Sequence, residues 1–220
     1  MYLPKHFEVT DKDTIEQLVA ENPLAYVVAQ TVDPTAEWSC DPVPVMPGGA
    51  IEPGQILLAH VAKANPLWQA TGSVMVLFTG PSGYITPNAY PSKHEHHRVV
   101  PTFNYAVVQV TGTLRAIHDQ ARKLEIVTQL TERFERLEPK PWAVSDAPAN
   151  YIDAMLNAIV GLEIEIDSVR AKFKLSQNRD PKDQAGVQQY LSMQSDANNA
   201  NRMLKLMQAN SPAISEPKAD

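Results

Sequence analysis

One cysteine in 220 residues, Cys40, excludes an intrachain disulfide framework and fits a reduced thiol in a cytoplasmic protein. No apolar run approaches the roughly 18 residues a membrane-spanning helix needs. The start, Met1–His6, lacks a basic segment leading into an apolar one, so no secretory signal is expected. Basic residues are outnumbered, 19 Lys and Arg against 25 Asp and Glu, which argues against broad electrostatic binding to nucleic acid. Glycine is sparse, at 9, while proline is frequent, at 18, so many turns must be made without glycine's conformational freedom. What is there is an ordinary globular share of apolar residues, 44%, enough to build a core at this length.

The pattern predicts a capped helix from Asp13-Thr14-Ile15-Glu16, with Ile15, Leu18 and Val19 on one face, ended by Asn22-Pro23. Leu24 to Val32 reads as a strand, and Asp33 to Gly54 as proline- and glycine-rich loops around a short edge strand at Val43–Met46. Strands are also predicted at Gln55–Val61, Ser73–Thr79 and Asn104–Leu114, with Gly80-Pro81-Ser82-Gly83 reading as a hairpin turn. From Asp119 to Leu137, Leu124, Val127, Leu130, Phe134 and Leu137 form one apolar stripe. Asp146 is placed to cap a helix carrying Ile152, Met155, Leu156 and Ile159, with Gly161 at its exit. Leu162–Asp167 alternates as a half-buried strand. Helices near Asp183–Met193 and Asn198–Gln208 and a frayed tail from Asn210 complete the chain. Strands that do not alternate regularly with helices indicate an α+β domain on an antiparallel sheet or small barrel.

Four segments carry candidate chemistry. In His60–Trp68, Asn65 suits a helix N-cap and Pro66 the first helical position, leaving backbone N–H groups beside Lys63 for a phosphate; on spacing alone a plain strand-to-helix turn with Lys63 in solvent is the simpler reading. Phe78–Lys93 brings Tyr84 and Tyr90 as flat ring faces and Ser92 and Lys93 as partners for an anion, or is simply a hairpin with tyrosines at its edge. In Val99–Val108, Thr102 and Asn104 interrupt an apolar strand and need partners, which a ligand or the backbone can supply. Lys172–Asn178 alternates so that Lys172, Lys174 and Ser176 share a face opposite Phe173 and Leu175, as a phosphate-facing strip or as a solvated edge strand. The run His94-Glu95-His96-His97 has ligand-type side chains but not the helical spacing that converges on one metal, so no metal site is assigned. Cys40 has no nearby base, and no catalytic residue is assigned.

Set in order, HVAKANP (60–66), FTGPSGYITPNAYPSK (78–93), VVPTFNY (99–105) and IVGLEIEIDSVRAKFKLSQN (159–178) resemble the PaiB family, with MYLPKHF at the start and Pro141-Trp142 in support. The resemblance implies an FMN-binding split β-barrel, α+β with a mainly β core and peripheral helices, in a single domain over 1–193. Residues 194–220 are expected to form a terminal helix and tail. It implies a homodimer with flavin at the interface, a negative transcriptional regulator, and FMN as cofactor. DNA contact rests on this resemblance alone, since no helix-turn-helix element stands out. The flavin set expected on these motifs is His60, Lys63, Asn65, Tyr84, Ser92, Lys93, Thr102, Asn104, Tyr105, Lys172, Lys174 and Gln177. Lys63, Ser92 and Lys93 are the phosphate candidates, with Thr102, Asn104 and Tyr105 toward the ring or ribityl chain. A flavin-dependent oxidoreductase, or a haem-binding relative using His60 or the loop histidines, is the alternative.

Overall fold

The computed structural model describes residues 1–30, 38–70 and 72–210. The expected tail beyond Asn210, and the parts of the expected strand and loop at 31–37, lie outside the described residues. The strands are β1 (Glu8–Val9), β2 (Leu24–Gln30), β3 (Trp38–Pro44), β4 (Met46–Pro47), β5 (Ile56–Ala62), β6 (Ser73–Ile85), β7 (Thr102–Ile117) and β8 (Ile159–Lys174). The α-helices are α1 (Lys12–Glu21), α2 (Lys93–His96), α3 (Gln120–Glu135), α4 (Ala149–Asn157), α5 (Pro181–Ser192) and α6 (Ala197–Ala209). Strand order is β3-β2-β6-β7-β8-β5-β4, with β1 pairing β8. No helix is long and apolar enough to cross a membrane among the described residues.

The chain divides into two units. The larger comprises Thr10–Thr79 and Val108–Arg170. Its antiparallel pairs put Leu57 opposite Ile164 and His60 opposite Gly161. Alternation in β2 turns Ala25, Val27 and Ala29 fully inward. In β7, Gly112 admits no side chain, because a Cβ there would lie 2.3 Å from the Glu165 carbonyl oxygen. The helix α3 seals one face by packing Ile126 and Leu130 on Met46 and Leu58. Each such side chain contributes roughly 1.5–3 kcal/mol by leaving water.

The buried face of α3 follows the expected stripe only in part, at Leu130 and half-buried Val127. Lys123, Ile126 and Leu130 are the buried positions, whereas Leu124, Phe134 and Leu137 are exposed. Lys123 is tolerated inside because its ammonium donates to the Leu156 carbonyl, 2.5 Å away, at the end of α4. Three further boundaries differ from expectation. Asp11, not Asp13, caps α1, accepting both the N–H and the hydroxyl of Thr14 at 2.8 and 2.6 Å. Asp146 does not cap α4; its carboxylate closes a short 3-10 turn, Val144–Asp146, by accepting the Ala143 N–H. Gly161 and Ile159 belong to β8 rather than to a helix end.

The smaller unit comprises Met1–Val9, Gly80–Val107 and Ala171–Asp220. Gly80-Pro81-Ser82-Gly83 is not a hairpin turn but part of the continuous strand β6. Neither glycine has a positive φ, so both stay extended, and the Ser82 carbonyl is satisfied by the Asn199 side chain of α6 at 2.8 Å. At the other end of this unit β1 pairs β8, with Glu8 opposite Lys172. The helix α5 is capped by Asp180 and comes so close to the 87–89 turn that a Cβ at Gly186 would meet the Ala89 carbonyl oxygen at 2.3 Å.

Candidate functional site

The smaller unit brings six of the expected residues into contact at the start of β7 and the end of β8. Lys172 is buried, 8% exposed; its ammonium donates to the Tyr2 carbonyl at 3.1 Å and lies 5.4 and 5.5 Å from the Tyr2 and Tyr105 rings. Two residues on, the same face of the strand presents Lys174, which donates to the Thr102 hydroxyl and to the Phe103 carbonyl. Asn104 and Ser176 are both buried and exchange side-chain hydrogen bonds at 3.0 and 3.1 Å. Ser176 holds a left-handed φ of 65°, which turns the chain out of β8. Gln177 secures that turn, accepting from the Leu175 N–H and donating to the Phe173 carbonyl. The buried polar residues flagged by the sequence thus find partners in one another.

The two lysines lack what buried cations normally have. Among the described residues no carboxylate lies within ion-pair distance of either; their partners are carbonyls, a hydroxyl and ring faces. Burial, then the neighbouring charges of Lys172 and Arg179, push the Lys174 pKa below the usual lysine range. An anion placed there would relieve the penalty.

Other expected residues of this unit behave differently. Tyr84 is half exposed and meets Phe103 edge to face at 5.7 Å, leaving a ring available to a planar ligand. Tyr90 offers none: it is fully buried, with the Arg179 guanidinium 4.8 Å from its ring. Ser92 is buried and gives its N–H and hydroxyl to the Asp183 carboxylate at 3.0 and 2.7 Å, so neither donor is free for an anion. Lys93 donates to the Asn88 side chain. The histidine run forms the single turn α2 and its exit, and Glu95 there pairs with Lys182. No group of three or more metal-ligand side chains exists among the described residues.

His60, Lys63 and Asn65 lie in the larger unit. Asn65 is the N-cap expected, its oxygen taking the Leu67 N–H at 2.8 Å, but the element it caps is one short 3-10 turn, Pro66–Gln69. Asn65 also donates to Asp41 at 3.1 Å. Lys63 is exposed, and its carbonyl accepts the Trp68 indole N–H. His60 sits on β5 with Nδ1 buried and without a partner among the described residues, and burial lowers its pKa below the ordinary histidine value.

The larger unit also holds a charge built the opposite way. Glu163 on β8 is buried, yet Arg115 and Arg122 reach it at 2.6 and 2.7 Å, and Arg122 also meets Glu125. Burial works to raise the Glu163 pKa, but the two guanidinium groups outweigh it and the carboxyl lies below its usual range.

Sequence reasoning missed Tyr2, Arg179 and Asp183. Tyr2 lies 170 positions from the lysine it meets, a separation no local pattern reports. Arg179 was accessible by extending the count of basic residues past Gln177.

Comparison with known proteins adds four findings. The family described as "Putative FMN-binding domain" matches residues 1–168. Over 213 residues the chain is 30% identical to "Protease synthase and sporulation protein PAI 2" of Bacillus subtilis, covering 94% of this chain and 97% of that protein. It is 31% identical over 224 residues to the uncharacterized protein AN0679 of Emericella nidulans, covering 85% of this chain and 88% of that protein. In structure it resembles a "putative 5-nitroimidazole antibiotic resistance protein" from Bacteroides thetaiotaomicron, with TM-score 0.52, 12% identity, and 75% and 85% of the two chains covered. The fold is α+β on a mainly antiparallel sheet, of the split-barrel class. The chain belongs to the FMN-binding domain family and is a PaiB-type member of it.

Proposed function

We propose that this chain binds FMN through the basic cluster of its smaller unit and acts in the cytoplasm as a PaiB-type negative regulator of transcription. The observation carrying the flavin site is the pair Lys172 and Lys174, cationic, the first buried and the second half-buried, and without a carboxylate partner among the described residues. A phosphate is the anion that suits two ammonium groups on one strand face. Thr102 and Tyr105 are the neighbours for the ribityl chain and ring, exposed Tyr84 supplies an aromatic face, and Asn104, fully buried and paired with Ser176, braces the strand behind them. Bound FMN supplies redox chemistry at its isoalloxazine ring, and the chain supplies position and charge.

The regulatory role is supported by kinship with PAI 2, whose name couples it to protease synthesis and sporulation. With a formal net charge of −6, regulation is better served by a flavin-responsive contact with a partner than by a broad basic DNA surface. A homodimer is part of the proposal. In the larger unit Leu24 and Tyr26 stand opposite Pro44 and Pro42, and Gln30 opposite Trp38, with Leu24, Tyr26 and Trp38 well exposed and no charged residue among the six. Charge-poor aromatic faces of this kind suit a subunit interface. Tyr26→Lys with Trp38→Lys is expected to yield monomers in sedimentation equilibrium; an unchanged dimer mass would remove this face from the interface.

The decisive experiment is a paired titration of wild type and Lys172→Met/Lys174→Met with FMN and riboflavin. The double variant should bind FMN about 10- to 100-fold more weakly and riboflavin almost unchanged. Equal losses would remove the lysines from the phosphate. Steady turnover of NADH or NADPH by the FMN-loaded protein would favour the oxidoreductase reading over the regulator.

A further inference from the structure

Beneath the C-terminal half of α3, in the larger unit, is a cavity of about 310 Å³ whose walls include Pro44, Val127, Phe134, Glu135 and Trp142, with His60 among the lining groups. The proposed flavin site makes no use of it. The wall is fixed rather than loose: the Glu135 carboxylate accepts the Trp142 N–H at 2.9 Å, which ties the chain after α3 back onto the helix. A dry cavity of about 150 Å³ already accommodates benzene, so this one has room for a two-ring molecule.

His60 gives the cavity its polarity. Its Nδ1 is buried with no hydrogen-bond partner among the described residues. A neutral imidazole carries one proton, and a buried N–H without an acceptor is the costlier orphan, so the proton belongs on Nε2 and the bare nitrogen is the one sealed off. We assign the tautomer on that ground. His60 is a lining residue, so with its proton on Nε2 we infer that the donor it offers the cavity is Nε2–H, set among aromatic and aliphatic walls, with a carboxylate that repels anions.

We propose that this cavity is a second binding site, separate from the flavin site, for a neutral planar heteroaromatic molecule of one or two rings that presents a hydrogen-bond acceptor to His60. The same tautomer argues against His60 as an axial ligand to haem iron. Metal-bound histidines normally donate their other N–H to an acceptor, and the described residues offer Nδ1 none.

The test uses two probes of nearly equal size, benzimidazole, which carries a bare ring nitrogen, and indole, which does not. Calorimetric titration of the wild-type chain should show benzimidazole binding roughly three- to tenfold more tightly than indole, the worth of one buried hydrogen bond. His60→Phe, which keeps a ring in place, should abolish the difference. Saturating FMN should leave benzimidazole binding unchanged. In the unaltered protein, the His60 ring resonances should shift on adding benzimidazole, a readout that does not depend on how the variant folds. Equal affinity for the two probes, a preference that survives His60→Phe, unmoved His60 resonances, or no binding of either probe would overturn the proposal. Displacement of benzimidazole by FMN would overturn it too, assigning His60 to the flavin site. A Soret band on adding hemin that disappears in His60→Phe would replace it with the haem reading.

Discussion

Buried charge is handled in opposite ways in the two units. In the larger, Glu163 meets two arginines: the charge is paired, and its work is to tie β8 to β7 and α3. In the smaller, Lys172 and Lys174 are held by carbonyls, a hydroxyl and aromatic faces, and no anion among the described residues answers them. A matched buried ion is a structural element, whereas an unmatched one stores a preference for a ligand of opposite sign. That contrast separates architecture from binding site more sharply than any residue's identity does, since both groups lie on the single strand β8.

The contrast can be broken by experiment. The largest effect should come from Glu163→Gln, which leaves two guanidinium groups facing a neutral amide. A loss of roughly 2–4 kcal/mol is expected in urea denaturation, at the lower side for a buried pair because Arg115 is largely exposed. FMN affinity should stay the same in this variant; a parallel loss of flavin would mean that the two charge systems are not independent. Lys172→Met with Lys174→Met should do the reverse, costing no more than about 1 kcal/mol of stability while weakening FMN. A large destabilisation there would recast the lysines as structural.

Acid and base should separate the two as well. The Glu163 pKa is lowered on folding, so the stability it contributes is present above the ordinary carboxyl value of 4.5 and is lost as pH falls through the lower folded value. The Lys174 pKa is also lowered, but for a base this means the unfolded chain holds the proton more tightly. Between the folded value and 10.5, stability should therefore rise with pH while FMN affinity falls, with riboflavin affinity level. Denaturation midpoints and flavin titrations across pH check both signs. FMN affinity that holds level up to 10.5 would take Lys174 out of the phosphate contact. The smallest effect is expected from Lys63→Ala. Lys63 is exposed and belongs to the larger unit rather than to the proposed cluster, so FMN and riboflavin affinities should both stay within about twofold of wild type. A larger loss than that of the β8 lysine pair would move the phosphate to the larger unit.

Much of this is legible in the residues. Alternation and β-branched content locate β2, β5, β7 and β8, and the alternation of 172–176 alone marks the lysine strip as a possible phosphate face. The misreadings share a cause. Gly80-Pro81-Ser82-Gly83 has turn composition, but nothing in it demands a positive φ, so the long strand β6 absorbs it. The apolar stripe drawn on α3 is right at Leu130 but wrong at Leu124 and Phe134, which are exposed, while the chain buries Ile126 and the stem of Lys123, because a carbonyl at the end of α4 waits for that ammonium. Long-range partners decide such cases: Leu156 for Lys123, Tyr2 for Lys172, Asp183 for Ser92. None of these separations leaves a local signature.

The central claim, that the unanswered lysines await the phosphate of a flavin, is tested most directly by quenching of flavin fluorescence as wild-type protein is added to FMN and, separately, to riboflavin. Saturable quenching at one flavin per chain is predicted, with FMN held at least about tenfold more tightly than riboflavin. No quenching, or equal affinity for the two flavins, would contradict it.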